Sequence, residues 1–233
     1  MSAKKKLAQF AELKTFSNVL EVPYEDVLKK DHELKGNWNK QIFENDGPIV
    51  LELGCGKGEY TLGLAKKYPS RNIIGVDIKG ARMWRGAKTG IEENIKNAFF
   101  LRTRVEFLDS FFDQNEVEEI WITFPDPQPQ LSREKKRLTS PRFLEKYSSF
   151  LRKDGIIHLK TDARSLYDYS VEVGKEMALD ILISTSQLYA EMNNLNVSED
   201  ERDILNIPTF YEKMFKEKGH EICYLKMAVN NNE

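Results

Sequence analysis

From residue 48 onward the chain alternates short apolar runs with amphipathic segments, and this alternation restricts its fold more than any other feature. Pro48 to Leu53, Asn72 to Asp77, Phe99 to Arg104, Glu119 to Phe124 and Ile156 to Lys160 have the length and composition of buried strands. Glu59 to Tyr68, Ala81 to Asn94 and Ser140 to Leu151 carry apolar residues at helical spacing, and a helix running to about Met177 follows the fifth strand. Two further strands are expected at Ile181 to Ser186 and Ile222 to Val229, the latter after a helix near Thr209 to Lys218. Strands alternating with helices build βαβ units, and their right-handed crossovers produce a parallel sheet covered on both faces. The expectation is therefore an α/β chain with a largely parallel seven-stranded sheet. Residues 1–47 are polar with weak periodicity and read as a partly flexible N-terminal extension. No linker or repeat divides residues 48–233, which read as a single domain.

In open α/β sheets ligands bind beyond the carboxyl ends of the strands. Here those ends carry Gly54-Cys55-Gly56-Lys57-Gly58, then Asp77, Arg102 with Arg104, Asp126 and Asp162. The glycines permit a tight strand-to-helix turn and close approach of a ligand to the backbone. A pyrophosphate loop would need glycine at position 59, where Glu59 stands and would repel a phosphate at the helix mouth. Glu52 and Asp77 suit a ligand with a cationic amino-acid moiety and a ribose diol. S-adenosylmethionine has both.

Composition narrows the class further. The 40% hydrophobic content includes 13 Phe, 9 Tyr and 3 Trp, enough for a packed core. The apolar runs are far shorter than the roughly 20 residues of a membrane span. No signal-like segment is read at the N-terminus, so a cytoplasmic location is expected. Cys55 and Cys223 read as reduced structural residues, and neither they nor the three histidines have metal-ligand spacing, so no metal is expected. A net charge of −2 conceals opposed patches: Lys79, Arg82, Arg85 and Lys88 form one basic stretch, and Arg133, Lys135, Lys136, Arg137 and Arg142 another.

Several of these motifs occur together, in order, in a known family. Leu51 to Gly58, the strand ending in Asp77, Phe124-Pro-Asp-Pro127 followed by Lys135-Lys-Arg-Leu138, His158-Leu-Lys-Thr-Asp162 and Thr209-Phe-Tyr-Glu212 are similar to those of the bacterial tRNA (guanine-N7)-methyltransferases. The resemblance runs through most of the chain from Lys35. It implies a Rossmann-like class I methyltransferase fold and transfer of a methyl group from S-adenosylmethionine to N7 of the variable-loop guanosine at tRNA position 46. It also implies that Glu52, Gly54, Gly56, Gly58, Asp77 and Asp126 meet the cofactor, with Asp126 at the reacting centre. Asp162, Thr209, Phe210, Tyr211 and Glu212 match substrate-binding positions. Arg82, Arg85, Arg133, Lys135, Lys136 and Arg137 are candidates for tRNA phosphates, and the acting unit is a monomer or a homodimer.

Two positions depart from that family. Arg104 falls where an Asp or Asn commonly meets the adenine, and the loop lysine has no counterpart at Gln130, where Lys135 and Lys136 are the nearest cations. Guanine N7 is an exposed lone pair and needs no general base, so proximity and a carboxylate facing the base as it becomes cationic suffice. Asp162 or Glu212 is expected to read the guanine edge, while Asp126 helps to place cofactor and base. A methyltransferase for exocyclic amines, a nicotinamide oxidoreductase and a non-catalytic RNA-binding protein remain as alternatives.

Overall fold

The strand runs read from the sequence are present, and the computed structural model describes residues 3–229, with side chains from residue 6. Residues 1–2, at the start of the expected extension, and 230–233 lie outside it. The described residues fall into two units, the first ending at Asp113 and the second beginning at Gln114.

The first unit contains α1 (Ala3–Leu13), β1 (Val19–Glu21), α2 (Tyr24–Val27), β2 (Ile49–Leu53), α3 (Glu59–Lys67), β3 (Asn72–Val76), α4 (Gly80–Glu92) and β4 (Ala98–Arg102). Its strands lie in the order β1-β4-β3-β2, every neighbouring pair parallel. Glu52 stands beside Gly75 and Gly75 beside Phe100. Every residue of β2 and β3 is buried, the signature of strands covered on both faces. Because the strands are parallel, the segments after β2, β3 and β4 emerge at one edge. Residues 3–27 of the expected extension supply α1, β1 and α2, and β1 is the strand that the sequence pattern did not reveal. Trp38 anchors this unit: fully buried, it donates Nε1–H to the Phe111 carbonyl at 2.8 Å and stacks on Phe112.

The second unit contains β5 (Val117–Thr123), α5 (Pro141–Ser148), β6 (Leu151–Thr161), α6 (Arg164–Glu176), β7 (Asp180–Thr185), α7 (Leu188–Glu191), α8 (Glu199–Leu205), α9 (Phe210–Glu217) and β8 (Cys223–Ala228). Its order is β5-β6-β8-β7, with β5 and β6 parallel and β8 antiparallel to both neighbours. The described residues thus carry eight strands, seven of them at the places read from the sequence. Strand β6 starts at Leu151, earlier than the Asp154-Gly155 turn suggested. That turn survives as an irregularity, with Asp154 at φ 60° and a register shift opposite Val117/Glu119. Pro141 begins α5 as expected, but the Ser140 hydroxyl makes no cap bond. His158 is a core residue, stacked on Trp121 at 3.8 Å, with Nδ1 2.8 Å from the Tyr224 hydroxyl; burial holds its pKa below the ordinary value.

Candidate active site

In the first unit the turn between β2 and α3 requires glycine three times: Gly54, Gly56 and Gly58 have φ of 77°, 55° and 72°. The three positions face different surroundings. A Cβ on Gly58 would lie 2.6 Å from the Phe100 ring, so this glycine lets the loop pack onto the sheet. A Cβ on Gly54 would meet nothing within 4 Å, and one on Gly56 only the Gly54 carbonyl at 3.9 Å. The backbone there leaves unfilled space, at the surface beside Gly54, which is exposed, and inside it beside Gly56, which is buried.

Carboxylates brace this turn. Asp77 accepts the Gly56 N–H through Oδ2 at 2.9 Å and the Lys79 N–H through Oδ1 at 2.8 Å. A carboxylate offers about four acceptor sites, so both oxygens can still accept from a diol. Glu52 is only 2% exposed, and its Oε2 accepts the Thr61 N–H at 2.8 Å and the Thr61 hydroxyl. Its first role is to tie α3 to β2, and any action on a ligand ammonium starts from that position. Glu59 occupies the first turn of α3, where a phosphate would otherwise dock. Burial, reinforced by the charges of Glu52 and Asp77, holds the Cys55 thiol well above its ordinary range. A thiol kept protonated in this way is no nucleophile. Glycines beside unfilled space, a diol-competent Asp77 and no welcome for phosphate fit S-adenosylmethionine.

Beyond Asp77, still within the first unit, lies a cavity of about 260 Å³ lined by Glu21, Tyr24, Ile78, Arg102, Arg104 and Phe107 among others. Arg102 pairs with Glu21 and donates to the Ile78 carbonyl at 3.1 Å, while Tyr24 meets Phe107 edge-on at 5.2 Å. Glu21 and Tyr24 come from the stretch read as an extension. Nothing in its periodicity signals a ligand, and only the pairing of β1 with β4 brings them here.

In the second unit the Phe124-Pro-Asp-Pro127 loop is bounded by two non-glycine residues in the left-handed region, Phe124 at φ 47° and Gln128 at φ 44°. Such residues cost on the order of 1–3 kcal/mol each and cluster at functional sites. Phe124 N–H donates to the Lys160 carbonyl at 2.8 Å, and Asp126, exposed, accepts the Gln128 N–H at 3.1 Å. Asp162, 17% exposed in its side chain, lies 3.4 Å from His220 Nδ1. Both line a cavity of about 270 Å³ with Arg164, Gln187, Glu221 and Cys223.

The Thr209 to Glu212 segment is the N-terminus of α9. The Thr209 hydroxyl caps it by accepting the Glu212 N–H at 3.1 Å. Glu212 is buried and paired with Lys160 at 3.0 Å, whereas Phe210 is 48% exposed. The sequence did not single out Lys160, although a lysine inside an apolar strand is a signal in itself.

The basic residues separate by exposure. Arg82 and Arg85 on α4, and Arg133, Lys135 and Lys136, are exposed. Lys88 is engaged with Glu12 at 2.9 Å. Arg137 turns inward: it is buried, stacked over the Tyr169 ring at 4.3 Å, and donates to the Gln128 carbonyl at 3.3 Å. It braces the loop after Asp126.

Comparison with known proteins identifies the family. A family model described as "Putative methyltransferase" matches residues 46–225. A tRNA (guanine-N(7)-)-methyltransferase of Christiangramia forsetii is 44% identical over 98% of this chain and 100% of its own length. One from Bacteroides fragilis is 46% identical over 97% of this chain and 86% of its own. Among solved structures, the 16S rRNA methyltransferase KamB superposes with a TM-score of 0.61, covering 88% of this chain and 98% of that one at 16% identity, which speaks for the fold alone. Near-complete coverage at this identity leaves one conclusion: the chain belongs to the tRNA (guanine-N(7)-)-methyltransferase family.

Proposed function

We propose that this protein transfers the methyl group of S-adenosylmethionine to N7 of the variable-loop guanosine at tRNA position 46. The observation that carries this reading is the turn at Gly54 and Gly56, whose Cβ positions face unfilled space and whose Gly56 N–H is held by Asp77. The relatives' names supply the base and the nucleic acid.

When bound, the cofactor supplies a sulfonium methyl that is already electrophilic. The Asp77 carboxylate accepts from the ribose hydroxyls, and the backbone at Gly54 and Gly56 lets the amino-acid end approach without a side chain in the way. Asp126 lies on the strained loop after β5, which limits its freedom, and serves at the reacting centre. Asp162 accepts from guanine N1–H and the 2-amino group, a donor pair that adenine lacks, and its negative charge favours the base as it becomes cationic. No residue need move a proton to start the reaction, because N7 already bears its lone pair. Exposed Arg82, Arg85, Arg133, Lys135 and Lys136 contact tRNA phosphates, and the basic residues nearest Gln130 take the place of the absent loop lysine.

No helix among the described residues is long and apolar enough to cross a membrane. We place the protein in the cytoplasm, acting as a monomer or a homodimer.

The test is incubation with methyl-labelled cofactor and unmodified tRNA, followed by nucleoside analysis. Label in N7-methylguanosine that disappears when the position-46 guanosine is replaced by adenosine is expected. Label on an exocyclic amine, or RNA bound without label, would overturn the reading.

A further inference from the structure

Lys160 is the penultimate residue of β6, two positions before Asp162, and its side chain is 0% exposed. Its Nζ donates to the Leu205 carbonyl, at the end of α8, at 2.6 Å and to Glu212 Oε2 at 3.0 Å. The other oxygen of Glu212, Oε1, accepts the Tyr189 hydroxyl from α7 and lies 3.3 Å from Lys216 Nζ. The Glu212 backbone N–H is held by the Thr209 hydroxyl. Four elements, β6, α7, α8 and α9, therefore converge on one buried carboxylate and one buried ammonium.

Both oxygens of Glu212 are thus engaged inside the second unit. Glu212 is moreover only 2% exposed, so a guanine edge could reach it only by displacing the groups packed on it, and displacing Lys160 would leave a buried cation without its counter-charge, which is strongly unfavourable. Phe210, next to it in the chain, has the opposite disposition: it is largely exposed and edge-on to Tyr211 at 5.5 Å.

We propose that Lys160 and Glu212 are positioning residues: their buried pair fixes the first turn of α9 against the strand end that carries Asp162, and Glu212 does not itself read the base. This rests on the substrate-side reading of Asp162 and residues 209–212. The pair sets the direction in which Phe210 and Tyr211 emerge, and Asp162 is left as the reader of the guanine edge.

The experiment compares Glu212→Gln, Lys160→Met, Lys160→Arg and the double variant Lys160→Met/Glu212→Met, with Asp162→Ala as control. Measured are KM for tRNA, kcat, cofactor affinity, melting temperature and the preference for guanosine over inosine at the target position. Inosine keeps N1–H and lacks the 2-amino group. The double variant, which removes both buried charges together, should melt near the parent yet show a tRNA KM raised about tenfold, with cofactor affinity unchanged. Lys160→Arg should recover part of what Lys160→Met loses. Glu212→Gln, nearly isosteric but leaving Lys160 without its counter-charge, should melt below the parent and, assayed below its own melting temperature, keep the parent's guanosine-over-inosine ratio.

A double variant with restored melting temperature and parental tRNA KM would reduce the pair to a structural role and overturn the proposal. Loss of the guanosine preference in Glu212→Gln would overturn it from the other side. An unchanged tRNA KM and an unchanged guanosine preference in Asp162→Ala would instead remove the substrate-side reading, which is a separate failure.

Discussion

Asp77 is held by two backbone N–H groups, so its carboxylate is aimed before any ligand arrives. Asp77→Ala should weaken binding of S-adenosylhomocysteine by about 10- to 100-fold, since hydrogen bonds to a charged group contribute roughly 1.5–3 kcal/mol. Calorimetry measures this, and tRNA affinity of the same variant should stay at the parental level. Lys160 provides a second prediction. Burial, the largest influence, lowers its pKa from 10.5 to about 8, against the opposing attraction of Glu212. Glu212 and Lys216 from α9 and Tyr189 from α7 are the titratable groups around it. In the unfolded chain this lysine keeps its proton to about pH 10.4. Between pH 8 and that value the unfolded state binds more protons, so the contribution of this group to stability rises with pH through the window. The melting temperature of the parent, relative to the Lys160→Met/Glu212→Met variant, should therefore increase from pH 8 towards pH 10, and a decrease would contradict the assignment. At this scale the sequence revealed residue types better than their duties. Asp77 and Asp162 stood out by standing at strand ends, whereas Arg137 looked like one more surface cation until its packing over Tyr169 turned it inward.

Among the elements, the glycine turn was legible because only glycine tolerates those φ values without strain. Which of its glycines serves packing and which leaves room was not legible, because that depends on Phe100, far along the chain. Two substitutions separate these duties. Gly58→Ala forces a Cβ against the Phe100 ring and should lower the melting temperature by about 4–10 °C, combining left-handed strain of roughly 1–2 kcal/mol with overpacking. Gly54→Ala meets open space, so it should show the strain alone in melting while cofactor affinity falls further than stability does. Equal effects of the two on cofactor affinity would argue against unfilled space beside Gly54. Strand β1 shows the opposite limit of sequence reading. Three residues, Val19–Glu21, are too few for a periodic signal, yet their pairing with β4 carries Glu21 to a cavity wall.

For the molecule as a whole, a net charge of −2 first reads as unsuited to RNA. The structure resolves this by exposure: Arg82, Arg85, Arg133, Lys135 and Lys136 lie at the surface, while Lys160 and Arg137 are buried and serve the interior. If the five exposed cations meet phosphates, tRNA affinity should fall roughly 100-fold between about 50 and 200 mM salt. Replacing Arg133, Lys135 and Lys136 with alanine should flatten that slope by about 2 log units of affinity per tenfold change in salt. A parent slope near zero in a filter-binding series would exclude a phosphate footprint.

The sequence by itself determined the alternation of strands and helices, the glycine turn and the carboxylates at the strand ends, because periodicity and backbone sterics act over a few neighbouring residues. Only the tertiary structure decided which of the charged groups are available to a ligand. Glu52 was already fastened to Thr61, and Glu212 was paired with Lys160 across 52 positions of chain. Burial and pairing of a charge depend on residues that meet only when the chain has folded, and no local pattern encodes them.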